Sequence, residues 1–250
     1  MNYFAIRLIV LACVFGSALF GMFLRGVLPE QHLSADSKDT VRLGMGMVAT
    51  MAALVLGLLV ASAKNFYDTQ SSDLTQLSAN VALLDRVLAH YGPETKEVRD
   101  VLRGAVARTI DLIWHQGQQG SQMAPTAAGG EILYDKIQAL SPQNDVQRAL
   151  KAQASSMAID LGKLRWLMFE QGSASVSLPL LAALVFWLAI VFASFGLFAP
   201  SNVTVIVTLF LCALSVSAAI FLILEMYMPF QGLMQLSSAP LRNALAHLGQ

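Results

Sequence analysis

No Asp, Glu, Lys or Arg occurs between Gln171 and Leu224, and an uncharged stretch of that length leaves few folds open. A bilayer core takes roughly 20 apolar residues per helix, so the stretch holds two spans rather than one. Pro200, Ser201 and Asn202 supply the turn between them. Two shorter uncharged runs, residues 8–24 and 43–63, each hold one more span. Composition agrees: 56% of the residues are hydrophobic and 13% charged, against roughly 25% charged in soluble domains.

The expected fold is therefore all-α, a membrane protein with four transmembrane helices and a helical insert between the second and third. Span one covers 4–24, span two 40–63, the insert 64–173, span three 176–198, span four 203–227 and a short tail 229–250. The corresponding division is 1–63, 64–173, 174–228 and 229–250. Span one is read as a span and not as a secretory leader, because its run outlasts the usual roughly 7 to 15 residues and continues from Gly21 to Leu24 past Ser17 and Ala18. An even number of spans puts both termini and the insert on one side. Basic residues in short loops set orientation. Arg7, Lys64, Lys163 and Arg165 lie on the insert side and Arg25, Lys38 and Arg42 on the other, which places the insert and both termini in the cytoplasm.

The insert reads as helices throughout. Leu74, Leu77, Val81, Leu84, Leu88 and Tyr91 alternate three and four apart, the spacing of one apolar seam. Gly92-Pro93 ends that helix and opens another, with Glu94 and Glu97 in its first turn and Val98, Leu102, Ala105, Thr109 and Leu112 on its buried face. Residues 117–130, rich in Gly, Gln, Ser and Ala, read as a mobile loop. Ser141-Pro142 reads as an N-cap with Pro at N1, opening a long helix that carries Val146, Leu150, Met157, Leu161, Leu164 and Met168 on one side. Stepping the first seam back by sevens from Leu74 reaches Tyr67, Val60, Ala53 and Gly46. Span two and the first insert helix are then either one rod or two helices broken near 65–72.

Enzyme signatures are missing: there is no phosphate-cradling glycine loop, no metal-ligand cluster and no nucleophile with its base. His32, His90, His115 and His247 stand apart from one another and read as surface or packing residues. Cys13 and Cys212 fall inside apolar spans and read as small buried hydrophobes. The expectation is a protein that is not an enzyme and holds no cofactor or metal. Net charge +0 and a pI near 6.9 give no electrostatic footprint for nucleic acid.

Span two is the most informative element. Gly46, Thr50, Ala53, Gly57 and Ala61 recur three and four apart, and Lys64 follows within a turn. Two readings fit such a face. Small residues let transmembrane backbones approach, so it could be a helix-packing surface. In a ring of subunits it could instead be the wall of a pore. At the head of the span, Asp36 or Ser37 suits a helix cap. Asp36, Lys38, Asp39 and Arg42 together exceed what a cap needs, and serve either as charged rings at an outer mouth or as a solvated loop. Glu225, the acid that ends the long uncharged run, either reaches the interface or pairs with Lys64 or another insert cation.

Three segments, SADSKDTVRLGMG from Ser34 with LVLGLLVASAK ending at Lys64, LDRVLAHYGP from Leu84 to Pro93, and LEMYMPFQG from Leu224 to Gly232, resemble a bacterial family described as bestrophin-like. The layout is similar to that of true bestrophins, pentameric anion channels whose second span lines the pore. The resemblance implies a homo-oligomeric, chloride-permeable channel in the bacterial inner membrane, with Gly46, Thr50, Ala53, Gly57 and Ala61 along the conduit and Lys64 at its inner mouth. Its partners would be other copies of the chain, the lipid bilayer and inorganic ions. Span two lacks the bulky aromatic rings of bestrophin necks, and no acidic run follows Glu225, so calcium gating does not carry over. A cation-permeable channel of the same layout and a non-conducting scaffold whose insert docks a partner are the alternatives.

Overall fold

The computed structural model describes residues 3–29, 35–114, 127–172 and 176–249. Among these, the regular structure is helical: α1 (Tyr3–Val27), α2 (Ala35–Tyr91), α3 (Lys96–Trp114), α4 (Ala127–Gln138), α5 (Asp145–Gly172), α6 (Leu178–Phe198), α7 (Val203–Met226) and α8 (Ala239–His247), with one 3-10 turn over Pro93–Thr95. Four of them, α1, α2, α6 and α7, are long and apolar enough to cross a membrane. Contacts divide the chain into two compact units, Met1–Phe66 with Ser175–Tyr227, and Tyr67–Ala174 with Met228–Gln250. Helix α2 runs unbroken from one to the other, which decides the rod over the broken alternative.

In the first unit α1 crosses α6 at two glycines. A Cβ on Gly21 would stand 2.0 Å from the Ala193 carbonyl oxygen, and one on Gly196 would stand 1.9 Å from that of Ala18. No side chain fits at either position, so the two backbones meet because both residues are Gly. Val14, Ala18, Leu184, Phe192, Ala213 and Ile220 pack around the crossing. Asn202 caps α7 by accepting from the Val205 N–H, and buried Ser217 donates to the Arg7 carbonyl at 3.1 Å. Cys13 and Cys212, expected to be buried, are exposed free thiols. The outside of a membrane bundle is as apolar as its interior, so an apolar neighbourhood in sequence does not imply burial there.

The second unit buries the whole predicted seam, Leu74 to Tyr91, and its residues from Leu74 to Leu88 pack against α3, α4, α5 and the C-terminal segment. The backward extension fails beyond Tyr67: Val60, Ala53 and Gly46 are exposed. A straight α-helix drifts about 20° per heptad, so stepping by sevens leaves the buried face. Helix α3 buries Val98, Leu102, Val106, Ile110 and Ile113 rather than Ala105, Thr109 and Leu112. The larger branched side chains take the core, and Thr109 returns its hydroxyl to the Ala105 carbonyl at 2.9 Å. Helix α5 opens at Asp145, not after Ser141: Asn144 Oδ1 accepts from the Gln147 N–H at 2.8 Å, while Gln147 Oε1 accepts from the Gln143 N–H at 2.7 Å. This reciprocal pairing resembles a capping box and satisfies amides that Pro142 cannot reach. On α5, Val146 is exposed, whereas Leu161 and Met168 are buried as expected. The expected loop over 117–130 lies outside the described residues up to 126, and its last positions open α4. His32 and His115 also lie outside them.

Gly196→Leu is expected to force α1 from α6 and cost about 2 kcal/mol or more. Thermal unfolding in detergent should register it as a clearly lowered midpoint or loss of monodisperse protein. Gly16→Leu, where a Cβ meets nothing within 4 Å, should leave the midpoint nearly unchanged.

Candidate functional site

Successive helical residues are about 100° apart, so Gly46, Thr50, Ala53, Gly57, Ala61 and Lys64 fall within about 40° of one line along α2. All six are exposed. The residues of this stretch that the chain buries, Ala52, Leu59 and Ala63, lie on the opposite side. A Cβ on Gly46 or Gly57 would meet nothing within 4 Å, whereas Gly21 and Gly196 are pressed against backbone. Close packing within the chain therefore explains the glycines of α1 and α6 but not those of α2. Among the described residues, neither Gly46 nor Gly57 has a packing neighbour on this face.

Thr50 is the polar point of this face, and its Oγ1 donates to the Gly46 carbonyl at 2.8 Å. Turned this way it offers lone pairs outward and no proton. At the head of α2, Lys38 is half-buried while Asp39 and Arg42 are exposed. Those two stand 3.9 Å apart as an i, i+3 pair, which largely cancels their charges locally. Ser34 and the Asp36 side chain lie outside the described residues.

Glu225, the acid that ends the long uncharged run, is 9% exposed on α7. The neighbouring tie between α7 and the base of span two is made by Tyr227. Its hydroxyl lies 3.1 Å from Ser62 Oγ, and its ring stacks on Phe66 with centroids 5.2 Å apart. Among the described residues no group of three or more His, Cys, Asp or Glu is placed to hold a metal ion.

A family model described as the Bestrophin-like domain matches residues 11–241. The chain belongs to this family. Neither a comparison with curated proteins nor one with solved structures gives a match. Membership together with four membrane-length apolar helices makes it a multi-pass membrane protein of a channel-like family.

The bestrophin-like segment 84–93 forms a structural corner. Asp85, almost fully buried, receives Arg99 Nε and Nη2 at 2.8 Å each, and the Gly249 N–H reaches its Oδ2 at 3.3 Å. The hydrogen bonds to Asp85 raise the Arg99 pKa above its ordinary value against the opposing effect of burial. Gly92 turns the chain at φ 138°, a conformation that favours Gly. Thr95 donates to the Leu88 and Gly92 carbonyls at 2.7 and 2.8 Å. Trp114 Nε1 donates to the Leu236 carbonyl at 2.9 Å, and Gln70 joins Gln171 at 2.8 Å. Sequence reasoning missed the Asp85 to Arg99 pair. Its one signal was an acid set between seam residues Leu84 and Leu88, where a solvated carboxylate has no place.

Asp85→Asn should destabilise the second unit by about 3 kcal/mol, the usual cost of removing one partner from a buried pair. Chemical denaturation followed by Trp114 fluorescence checks this. The double variant Asp85→Asn with Arg99→Met should recover much of the loss.

Proposed function

We propose that copies of this chain assemble with α2 around a common axis to form an ion channel that passes anions. Gly46, Thr50, Ala53, Gly57 and Ala61 line the conduit and Lys64 stands at its inner mouth. The observation that carries the reading is that this face of α2 is small, exposed and opposite the side the chain buries. Membership in a channel-like family supports it. The resemblance to bestrophins favours five copies, in a bacterial inner membrane with insert and termini in the cytoplasm. Asp36, Lys38, Asp39 and Arg42 then repeat around the outer mouth.

The preference for anions rests on Lys64. Thr50 gives its proton to its own helix and has none for a passing anion. A ring of lysines raises the local concentration of anions, an effect worth about tenfold or more in rate.

Ion flux from proteoliposomes under chloride and potassium gradients tests the proposal. Chloride flux should fall about tenfold or more in Lys64→Glu and stay near its original level in Thr50→Val. Gly57→Leu, which meets nothing within its own chain, should fold normally and block flux. Thr50→Cys, in a protein freed of Cys13 and Cys212, should react with a small water-soluble thiol reagent. Potassium flux in place of chloride would overturn the selectivity. Absence of any flux, with Thr50→Cys protected throughout, would overturn the conduit.

A further inference from the structure

Helices α1 and α6 share a groove of about 440 Å³ within the first unit. Its lining takes Ile9 and Cys13 from α1 and runs along α6 from Leu178 to Ala189. Among the described residues every lining side chain is apolar apart from the Cys13 thiol. Cys13, Ala182 and Ala189 are small and make a low floor. Ile9, Leu178 and Phe186, which are 60%, 64% and 62% exposed, stand up as its walls. Past Ala189 the two helices meet backbone to backbone at Gly21 and Gly196, which leaves no room between them. The groove therefore starts at the first residue of α6 and ends partway along the span.

Its dimensions select an occupant. Residues 178 to 189 rise about 16 Å along the helix axis, and the hydrocarbon core of a bilayer is about 30 Å thick, so the groove has the depth of one leaflet. Its volume spread over that length gives a cross-section of about 27 Å². An α-helix with its side chains is about 10 Å across and needs roughly three times that section, so a helix of another copy does not enter. One side chain reaching in from outside fills only part of the length. A single alkyl chain has the right width, length and polarity. The groove is also continuous with the surface that two membrane-length helices present to lipid, and its occupant comes from the bilayer with no passage through water.

We infer that the groove holds one acyl chain of a phospholipid, drawn from the leaflet next to the insert. Lipid lying on a smooth helix surface gains little, since hydrocarbon is as apolar as Leu. A chain in the groove touches protein on several sides, and dispersion contacts accumulate along its whole length. It completes packing that Cys13, Ala182 and Ala189 are too small to provide. The inference rests on the membrane spans and not on conduction.

Photo-cross-linking tests it in vesicles of phosphatidylcholine and phosphatidylglycerol, with a phosphatidylcholine that carries a diazirine midway along one acyl chain. Leu222 is the reference, because it is exposed on α7 and lies as far as Ala182 does from the end of its helix that leads to the second unit. Adducts localised by mass spectrometry should be about tenfold or more as frequent at Ala182 as at Leu222, a preference of about 1.4 kcal/mol over ordinary surface lipid. Ala182→Phe puts a ring in the groove. It should bring adducts at Cys13 down to the Leu222 level and leave the thermal midpoint in detergent near its original value. Ala189→Leu, which fills the deeper end, should lower the same adducts several-fold. Adducts at Ala182 no more frequent than at Leu222 would overturn the inference, whether a second copy covers the groove or lipid passes it freely. Adducts at Cys13 that neither filling variant reduces would overturn it as well.

Discussion

Everything in this chain hangs on one unbroken helix. Helix α2 is 57 residues long, or about 85 Å, and it contributes to two separate cores in turn. In its first part the buried residues are Ala52, Leu59 and Ala63, set among α1, α6 and α7 side chains. In its second part they are the seam from Leu74 to Tyr91, packed in the insert's core. A break near residues 65–72 would leave backbone amides without their helical partners. Continuity satisfies them inside the helix at no cost in side chains.

The division of labour among small residues follows from the same physics. Gly21 and Gly196 have neighbours closer than any side chain allows, and Gly46 and Gly57 have none within 4 Å among the described residues. Spacing cannot separate these cases, since both are small residues at helical intervals in apolar spans. What separates them is the partner, and the partner of α1 is α6 of the same chain. For Gly46 and Gly57 on α2 no such partner stands among the described residues. This difference is why the proposed conduit is placed on α2 and not on α1 or α6.

How much the sequence reveals differs by environment. Runs without charge locate the four long helices, because a charge in hydrocarbon is expensive wherever the run occurs. Alternation of apolar and polar residues locates the insert's seam, because water distinguishes the two faces. In the spans neither signal tells inside from outside, and so Cys13 and Cys212 prove exposed where burial was expected. In the insert the errors are smaller and have local causes. The buried stripe of α3 shifts to follow its bulkier side chains, and α5 starts where Asn144 and Gln147 can cap it. The small face of α2 was legible as a pattern. Its direction was not, because orientation depends on which other residues of α2 the bundle takes up.

Two of the segments that carry the resemblance serve the scaffold. In 84–93, Asp85 holds Arg99 and the C-terminal backbone at Gly249, and Gly92 and Thr95 turn the chain toward α3. In 224–232, Tyr227 locks α7 to Ser62 and Phe66, and Phe230 meets Trp114. Family membership thus reports an architecture directly and a function only through it. Within the first unit, the Tyr227 contacts with Ser62 and Phe66 stand beside Ala63, one of the residues that span two buries. If the proposed conduit lies on the opposite face of α2, a variant there such as Gly57→Leu alters flux while these scaffold contacts stay intact.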